Sequence, residues 1–232
     1  MNIQGFQKTT LLDFPGHVAA TVFFGGCNFR CPFCHNGDLV LNPGTDPAFS
    51  SQEILAFLQK RQGILEGVCI TGGEPTLQPG LSDFLRAVKD LGLLVKLDTN
   101  GYRPKVLQSL LEQELLDYVA MDIKGAPEDY PAICGLDSME LDRIQASVQL
   151  LKDSSIPYEF RTTVVRELHN ASSFEAIGQW IGNACAYFLQ GYRDSDQVIS
   201  PGFSAYTLEE LKVFQTLLSS WIDHVEIRGV EH

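Results

Sequence analysis

Short apolar runs alternate with segments of helical periodicity along most of the 232-residue chain. Thr207 and Glu210 match a capping box at the start of the last helical segment. Six apolar runs have the length and composition of buried strands, and they cover residues 18–24, 67–71, 94–99, 118–123, 159–165 and 184–190. Apolar residues at helical spacing predict helices at 51–61, 81–91, 104–114, 141–152, 172–182 and 207–222, and residues 224–228 fit a short last strand.

This alternation of strand and helix is typical of repeated β-α units around a parallel sheet. Six such units are too few to close an eight-fold barrel. We therefore expect an α/β fold of the open, partial (βα)6 TIM-like type. No linker interrupts the pattern, so residues 1–232 are predicted to form a single domain with a short N-terminal extension at 1–17.

Polar residues and glycines lie within or just beyond each predicted strand. In parallel architectures the carboxyl ends of the strands carry the active site. The residues at this rim are Cys27, Gly72, Gly73, Glu74, Asp98, Asp122, Lys124, Arg161 and Gln190. Because every one of the six strands contributes, we predict a binding site at this edge of the sheet.

The composition narrows the range of partners. Hydrophobic residues make up 44% of the chain, which is enough for a sizeable core, and charged residues make up 20%. The net charge of −12 disfavours general attraction to nucleic acid or to anionic membranes. Residues 1–5 lack a secretory pattern and no run has membrane-spanning length. We expect a cytoplasmic, reducing location.

Three of the six cysteines are clustered, at Cys27, Cys31 and Cys34. Cysteine thiolates hold iron–sulfur clusters, and three of them without a fourth nearby favour a four-iron cluster with one iron left open. Structural zinc would need a second ligand pair, which is missing, and His35 directly follows Cys34, a poor spacing for the same metal. A disulfide would leave one thiol over.

The remaining three cysteines are scattered. Cys69 and Cys185 lie in apolar runs, where a free cysteine is usually a small buried hydrophobe. Cys134, between Ile133 and Gly135, receives no assignment.

The cysteine spacing, with the aromatic Phe33 before the third cysteine, resembles the radical S-adenosylmethionine (SAM) family. Within that family, the stretch CPFCHN at 31–36 looks like the activating enzymes of glycyl-radical proteins. The stretch GFQKTTLLDFPG at 5–16 is similar to the anaerobic ribonucleoside-triphosphate reductase activating proteins. The resemblance covers nearly the whole chain.

The resemblance implies one 4Fe-4S cluster on the three cysteines and SAM as the second cofactor. Its GGE motif corresponds to Gly72, Gly73 and Glu74, which implies backbone contacts to the methionyl amino group from the glycines and a supporting role for the glutamate. Lys124 would pair with the methionyl carboxylate in a charge-assisted bond. No further cysteine lies between Cys34 and Cys69, so a single cluster is expected.

Two further segments resemble the DTNG and D-x-K motifs of glycyl-radical activating enzymes. The resemblance implies a monovalent cation held by Asp98, Thr99 and Asp122, and hard oxygen ligands beside two carboxylates make such a cation reasonable. Asp98 has an alternative use in hydrogen bonding the ribose, and the sequence does not separate the two. Asn100, in the first of these motifs, is a further candidate cofactor contact.

The adenosyl part of SAM has weaker candidates. Phe33 and His35 would flank the adenine by stacking and edge contact, as the resemblance implies. Arg161 would reach the ribose or the partner peptide, or else form a structural salt bridge in the barrel mouth. Gln190 is a candidate for closing the adenosine pocket. Residues 191–206 lack periodicity and are predicted to form a mobile loop over the mouth.

The function implied by the resemblance is radical generation for a protein partner. A reduced cluster would cleave SAM to methionine and a 5′-deoxyadenosyl radical, which would take a hydrogen from a glycine of a glycyl-radical enzyme. A flavodoxin or ferredoxin would donate the electron. Two alternatives stay open: a radical SAM enzyme acting on a small molecule or another peptide, and an iron–sulfur electron carrier or sensor.

Overall fold

The computed structural model of the protein describes residues 1–230, so the last two residues of the predicted domain lie outside the described part. Its strands are β1 (Ile3–Thr10), β2 (Ala19–Phe24), β3 (Gly67–Gly72), β4 (Leu94–Thr99), β5 (Tyr118–Asp122), β6 (Tyr158–Val164), β7 (Tyr187–Gly191) and β8 (Val225–Arg228). Its helices are α1 (Gly37–Leu41), α2 (Ser51–Gln59), α3 (Leu81–Asp90), α4 (Pro104–Glu112), α5 (Tyr130–Ile133), α6 (Leu141–Asp153), α7 (Ala171–Ile181) and α8 (Leu208–Leu218).

All eight strands form one sheet whose spatial order is the order of the chain. Strands β2 to β8 run parallel, and β1 is antiparallel to β2. At least one helix follows each strand from β2 to β7. Within residues 1–230 the two edge strands, β1 and β8, do not pair with each other. The predicted open barrel of six β-α units is confirmed.

The helices cover the sheet with apolar stripes. In α3, Leu81, Phe84, Leu85 and Val88 recur at helical spacing and are all buried. Burying each such side chain contributes about 1.5–3 kcal/mol relative to leaving it in water. The last helix begins after the Thr207 cap, whose side chain accepts from the backbone of Glu210, so the predicted capping box is confirmed.

The N-terminal extension differs from the sequence expectation, because β1 (Ile3–Thr10) lies within it. Its sequence carries only two large apolar residues, Ile3 and Phe6, which is why no strand was predicted there. Ile3 is fully buried, and the ring of Phe6 packs on Phe57 of α2 at 5.1 Å. Residues 3–10 therefore form a strand because they pair with β2, and their own pattern of apolar residues does not predict it.

The burial of the cysteines outside the cluster loop differs in part from the prediction. Cys69 in β3 is fully buried, as expected, but Cys185 is exposed, and its predicted burial was wrong. Strand β7 begins only at Tyr187, so Cys185 lies in the preceding turn and faces outward between two buried alanines. Cys134 is fully buried at the end of α5.

The register of the sheet brings the predicted rim residues into adjacent rows. Gly72 lies opposite Phe24, and Asp122 lies opposite Arg161. Because parallel strands share a direction, their carboxyl ends meet at one edge. None of the helices in the described residues is long and apolar enough to cross a membrane.

Candidate cofactor site

A cavity opens at the carboxyl ends of the parallel strands. Predicted site residues supply most of its lining: Cys27, Cys31, Cys34, Gly72, Gly73, Asp98, Thr99, Asn100, Asp122, Lys124 and Arg161. Eleven of the fifteen predicted site residues therefore lie together at one place in the fold.

The three cysteines lie on the loop between β2 and α1. A turn in which the Cys34 amide donates to the Cys31 carbonyl at 3.0 Å shapes the second half of this loop. The Phe29 amide donates to the Cys27 sulfur at 3.4 Å, and the Asn100 side chain lies 3.8 Å from the same sulfur. Hydrogen bonds to cysteine sulfurs are among the features by which a protein tunes an iron–sulfur cluster.

The thiols have different surroundings. Burial raises the pKa of Cys27 to about 12 and also raises the pKa of Cys34. The pKa of Cys31 is lowered, because the Cys134 thiol forms a hydrogen bond with its sulfur against the opposing effect of burial. Cys134, which the sequence left without a role, therefore contacts one of the predicted cluster ligands.

The donor set fits an iron–sulfur cluster. A cluster distributes its cysteines over separate iron atoms, and three sulfurs facing one cavity suit that arrangement. Beside Cys27, the side-chain nitrogen of Asn28 is buried without a hydrogen-bond partner, which leaves a donor for a bound group.

Gly72 and Gly73 bring the end of β3 and the following loop into close backbone contact with the end of β2 and the cysteine loop. A Cβ on Gly72 would overlap the backbone of Phe24, and one on Gly73 would overlap the Gly26 carbonyl oxygen. The Gly73 amide donates to the Phe24 carbonyl at 2.8 Å, and the Gly72 carbonyl accepts from the Asn36 side chain at 2.9 Å. Packing against the cysteine loop thus requires glycine here, while contact of these carbonyls with a ligand stays a prediction.

Glu74 is fully buried and does not line the cavity. Its carboxylate accepts from the Asn100 amide at 2.7 Å, from the Thr99 hydroxyl at 2.8 Å and from the Thr76 amide at 3.1 Å. Burial raises its pKa, and these hydrogen bonds act in the opposite direction. Glu74 therefore joins the loop after β3 to the loop after β4, and Thr99 points toward Glu74.

The charged side chains of the rim form a continuous chain. Lys96 contacts Asp98 at 2.6 Å, and Arg161 contacts Asp98 at 3.1 Å and Asp122 at 2.6 Å. Lys124 contacts the second oxygen of Asp122 at 2.8 Å. Burial alone would raise the pKa of both carboxyl groups, but the neighbouring cations hold the pKa of each below its usual range.

The family model of the Radical SAM superfamily matches residues 21–181. This segment contains the three clustered cysteines, the two glycines and all five members of the charged chain. The chain belongs to the radical SAM superfamily. The predicted family is confirmed at this level, while its anaerobic reductase branch stays a prediction.

Two relatives and one solved structure show how far the similarity of this radical SAM enzyme extends. It is 29% identical over 238 residues to MJ1227 of Methanocaldococcus jannaschii, whose name places it among glycyl-radical enzyme activating enzymes, covering 98% of this chain and 96% of that protein. It is 32% identical over 153 residues to the pyruvate formate-lyase-activating enzyme of Clostridium pasteurianum, covering 63% of each chain. The structure of Streptococcus suis SuiB bound to SAM superposes with a TM-score of 0.70 at 13% identity, over 90% of this chain and 52% of SuiB, and shares the fold.

The residues predicted to meet adenine lie outside this cavity of the radical SAM enzyme. Phe33 is buried and packs edge-on against Phe203 at 6.4 Å. His35 contacts the Arg193 carbonyl at 2.5 Å and, with Gln190, lines a separate depression. Their role in binding the adenosyl group stays a prediction.

The segment 191–206, predicted to be a mobile cover, packs on the cysteine loop. The Ser200 amide donates to the Pro32 carbonyl at 2.8 Å, and the Gly37 amide donates to the Gln197 carbonyl at 3.2 Å. These contacts connect the segment to the cysteine loop and to the start of α1. Its mobility stays a prediction.

Three residues at or behind the site were missed in the sequence. Asn28 lies between Cys27 and Cys31, Asn36 lies two positions after Cys34, and their amide side chains offer no distinctive pattern. Lys96 had a usable signal: it is a lysine inside the apolar strand β4, two positions before Asp98, and side chains two apart share one face of a strand.

Proposed function

We propose that this radical SAM enzyme cleaves SAM and directs the resulting 5′-deoxyadenosyl radical to a glycine in a partner glycyl-radical enzyme. The observation that carries the proposal is the convergence of three cysteines, the Gly72–Gly73 turn and Lys124 on one cavity. Similarity to MJ1227 over nearly the full length of both chains supports the choice of a protein partner.

Each part of the cavity has a proposed task. Cys27, Cys31 and Cys34 would hold the cluster, which supplies the single electron that breaks the carbon–sulfur bond of SAM. The Lys124 ammonium would bind the methionyl carboxylate, and a charge-assisted bond of this kind fixes orientation as well as affinity. The backbone after β3 would accept hydrogen bonds from the methionyl amino group. These contacts would hold SAM beside the cluster.

The electron and hydrogen balance needs one reductant and no general base. One electron and SAM would give methionine and the adenosyl radical, and the transfer of one hydrogen atom from glycine would then give 5′-deoxyadenosine and a glycyl radical. We propose a flavodoxin or a ferredoxin as the donor. Such a protein reductant and an oxygen-sensitive cluster suit the reducing cytoplasm, where we place the enzyme.

For the partner we propose an anaerobic ribonucleoside-triphosphate reductase. The support is the resemblance of residues 5–16, which form most of β1 and the following turn. Leu11 and Leu12 in this turn are 72% and 90% exposed, so apolar surface is available there for a partner.

The test combines two products. Protein reconstituted anaerobically with iron and sulfide is reduced and mixed with SAM and with each of a panel of purified glycyl-radical enzymes. We expect 5′-deoxyadenosine together with a glycyl-radical signal in electron paramagnetic resonance for the reductase, and neither product with the Cys31→Ala variant.

The other outcomes select the alternatives. Formation of 5′-deoxyadenosine without a glycyl radical in any partner would overturn the protein partner and favour a small-molecule or peptide substrate. A reducible cluster that does not cleave SAM would favour an electron carrier or sensor. A glycyl radical formed only in another member of the panel would overturn the reductase assignment alone.

A further inference from the structure

Arg161 is shared by the two carboxylates at the mouth of the barrel. Its Nε lies 2.6 Å from Asp122 Oδ1, and its Nη2 lies 3.1 Å from Asp98 Oδ2. The guanidinium thus occupies the space between two acids from neighbouring rim positions. A planar group with several fixed donors suits this bridging role better than a single ammonium does.

The second carboxylate oxygen of each acid also accepts a hydrogen bond. Asp98 Oδ1 accepts from Lys96 at 2.6 Å, and Asp122 Oδ2 accepts from Lys124 at 2.8 Å. Thr71 adds a bond to Asp98 Oδ2 at 3.1 Å. Every carboxylate oxygen of the pair therefore has at least one donor.

The sum of charges along this chain of side chains is +1, from three cations and two anions. The side chains of Lys96, Asp98 and Arg161 are only 4%, 14% and 15% exposed, so solvent screens them little. An additional inorganic cation between the acids would approach a guanidinium and two ammonium groups in a poorly screened site. Repulsion from these groups would oppose its binding.

The third predicted cation ligand lines the cavity, but its hydroxyl is already hydrogen-bonded. The Thr99 hydroxyl donates to Glu74 Oε1 at 2.8 Å and accepts from the Gly101 amide at 3.1 Å. It therefore links Glu74 to the turn after β4. The oxygens predicted to hold a monovalent cation do not form a free set of ligands, and the residues present do not fit that ion.

We propose that Arg161 is a built-in cation that replaces a monovalent metal ion between Asp98 and Asp122 and positions Lys124 through the latter carboxylate. This inference rests on the proposed SAM site for its effect on binding, but the charge arrangement itself does not depend on it. Arg161 acts as a positioning residue. The consequence is that SAM binding does not depend on the identity of the alkali ion.

The first test measures the affinity of the reconstituted protein for SAM by calorimetry at constant ionic strength. Chloride salts of tetramethylammonium, sodium and potassium are compared. For the wild-type protein we expect dissociation constants that agree within about twofold. For Arg161→Gln we expect affinity at least about tenfold weaker in tetramethylammonium, because charged hydrogen bonds are lost, and substantial recovery in potassium.

A second test needs neither cluster nor SAM. Thermal unfolding of the cluster-free protein is followed in the same three salts, since an ion that binds only the folded state raises the midpoint. We expect a potassium-specific rise for Arg161→Gln and none for the wild-type protein. Arg166→Gln is the matched control, because Arg166 pairs with Glu210 at the surface and is 41% exposed. It should behave like the wild type in both tests.

The outcomes separate this inference from the proposed function. The inference would be overturned if potassium specifically strengthened SAM binding by the wild-type protein or raised its unfolding midpoint. It would also be overturned if neither quantity depended on the alkali ion in Arg161→Gln. If Arg161→Gln does not fold, Arg161→Lys keeps one positive charge, and we expect it to show the wild-type insensitivity to salt. A protein that fails to cleave SAM would still give a clear answer in the unfolding test.

Discussion

Replacing Lys124 with methionine tests the proposed carboxylate anchor with little other disturbance. Methionine keeps much of the length of the side chain and removes only the ammonium. The partner acid is not left alone, because Asp122 keeps Arg161 at 2.6 Å from its other oxygen. The charged chain falls from +1 to zero, so the loss of stability should stay below the roughly 3–5 kcal/mol that an unpaired buried charge costs.

Lys124→Met should also weaken the binding of SAM substantially. A hydrogen bond to a charged group contributes about 1.5–3 kcal/mol, which corresponds to a dissociation constant raised roughly 10- to 150-fold. Calorimetric titration of the reconstituted protein measures it, with iron and sulfide content determined on the same sample. Lys89→Met is the matched control, since Lys89 pairs with Asp117 at 2.6 Å outside the cavity.

The pH dependence gives the same prediction a second check. Burial lowers the pKa of Lys124, but the Asp122 carboxylate outweighs burial and raises it well above its usual value. A lysine whose pKa is higher in the folded than in the unfolded protein stabilises the folded state fully below its unfolded pKa. This stabilisation is lost only as the pH rises through the folded pKa. Both pKa values lie above neutral pH, so Lys124 should stay charged, and its effects on stability and on SAM binding should be constant, from about pH 6 to 9.

Two results would refute this reasoning. A dissociation constant within about twofold of the wild type, with the cluster intact, would mean that Lys124 does not contact the carboxylate. An equal loss in Lys89→Met would mean that the effect reflects general charge and not the cavity. Loss of cluster content in Lys124→Met would instead place the lysine in the support of the cysteine loop.

Three further predictions concern the loops. Cys31→Ala should abolish the four-iron absorbance and all SAM cleavage, whereas Cys185→Ala should keep both, because Cys185 is exposed outside the cavity. Gly73→Ala should lower the iron bound per chain after reconstitution, because the new Cβ overlaps Gly26 next to the cysteines; full iron content would contradict the packing argument. Shortening the 191–206 segment should raise the 5′-deoxyadenosine formed per glycyl radical, because a radical exposed to solvent is quenched, and an unchanged ratio would exclude gating.

Most of the fold could be predicted from local sequence patterns. A buried parallel strand is recognisable as an apolar run, and a helix on its surface as an apolar stripe, because each depends on neighbours in sequence. The six β-α units and the short last strand could therefore be predicted. Strand β1 could not, since its mostly polar residues become a strand only against β2.

The cysteine loop was equally visible in the sequence, because all three ligands lie within eight residues, from Cys27 to Cys34. The rim glycines could be identified from the sequence as well, but the physical reason that glycine is required at these two positions could not. The structure shows that Gly72 packs against Phe24 at the end of β2 and Gly73 against Gly26 of the cysteine loop, and both contacts join segments that are distant in sequence.

The sequence by itself determined the alternating architecture, the cluster loop and the edge of the sheet where the site lies, because these follow from short-range spacing and strand direction. Only the tertiary structure decided how the charges are paired. Asp98, Asp122 and Arg161 come from three different strands, and the sheet register brings them together. Whether two acids face a metal ion or an arginine depends on distances between strands, and no local pattern encodes those distances.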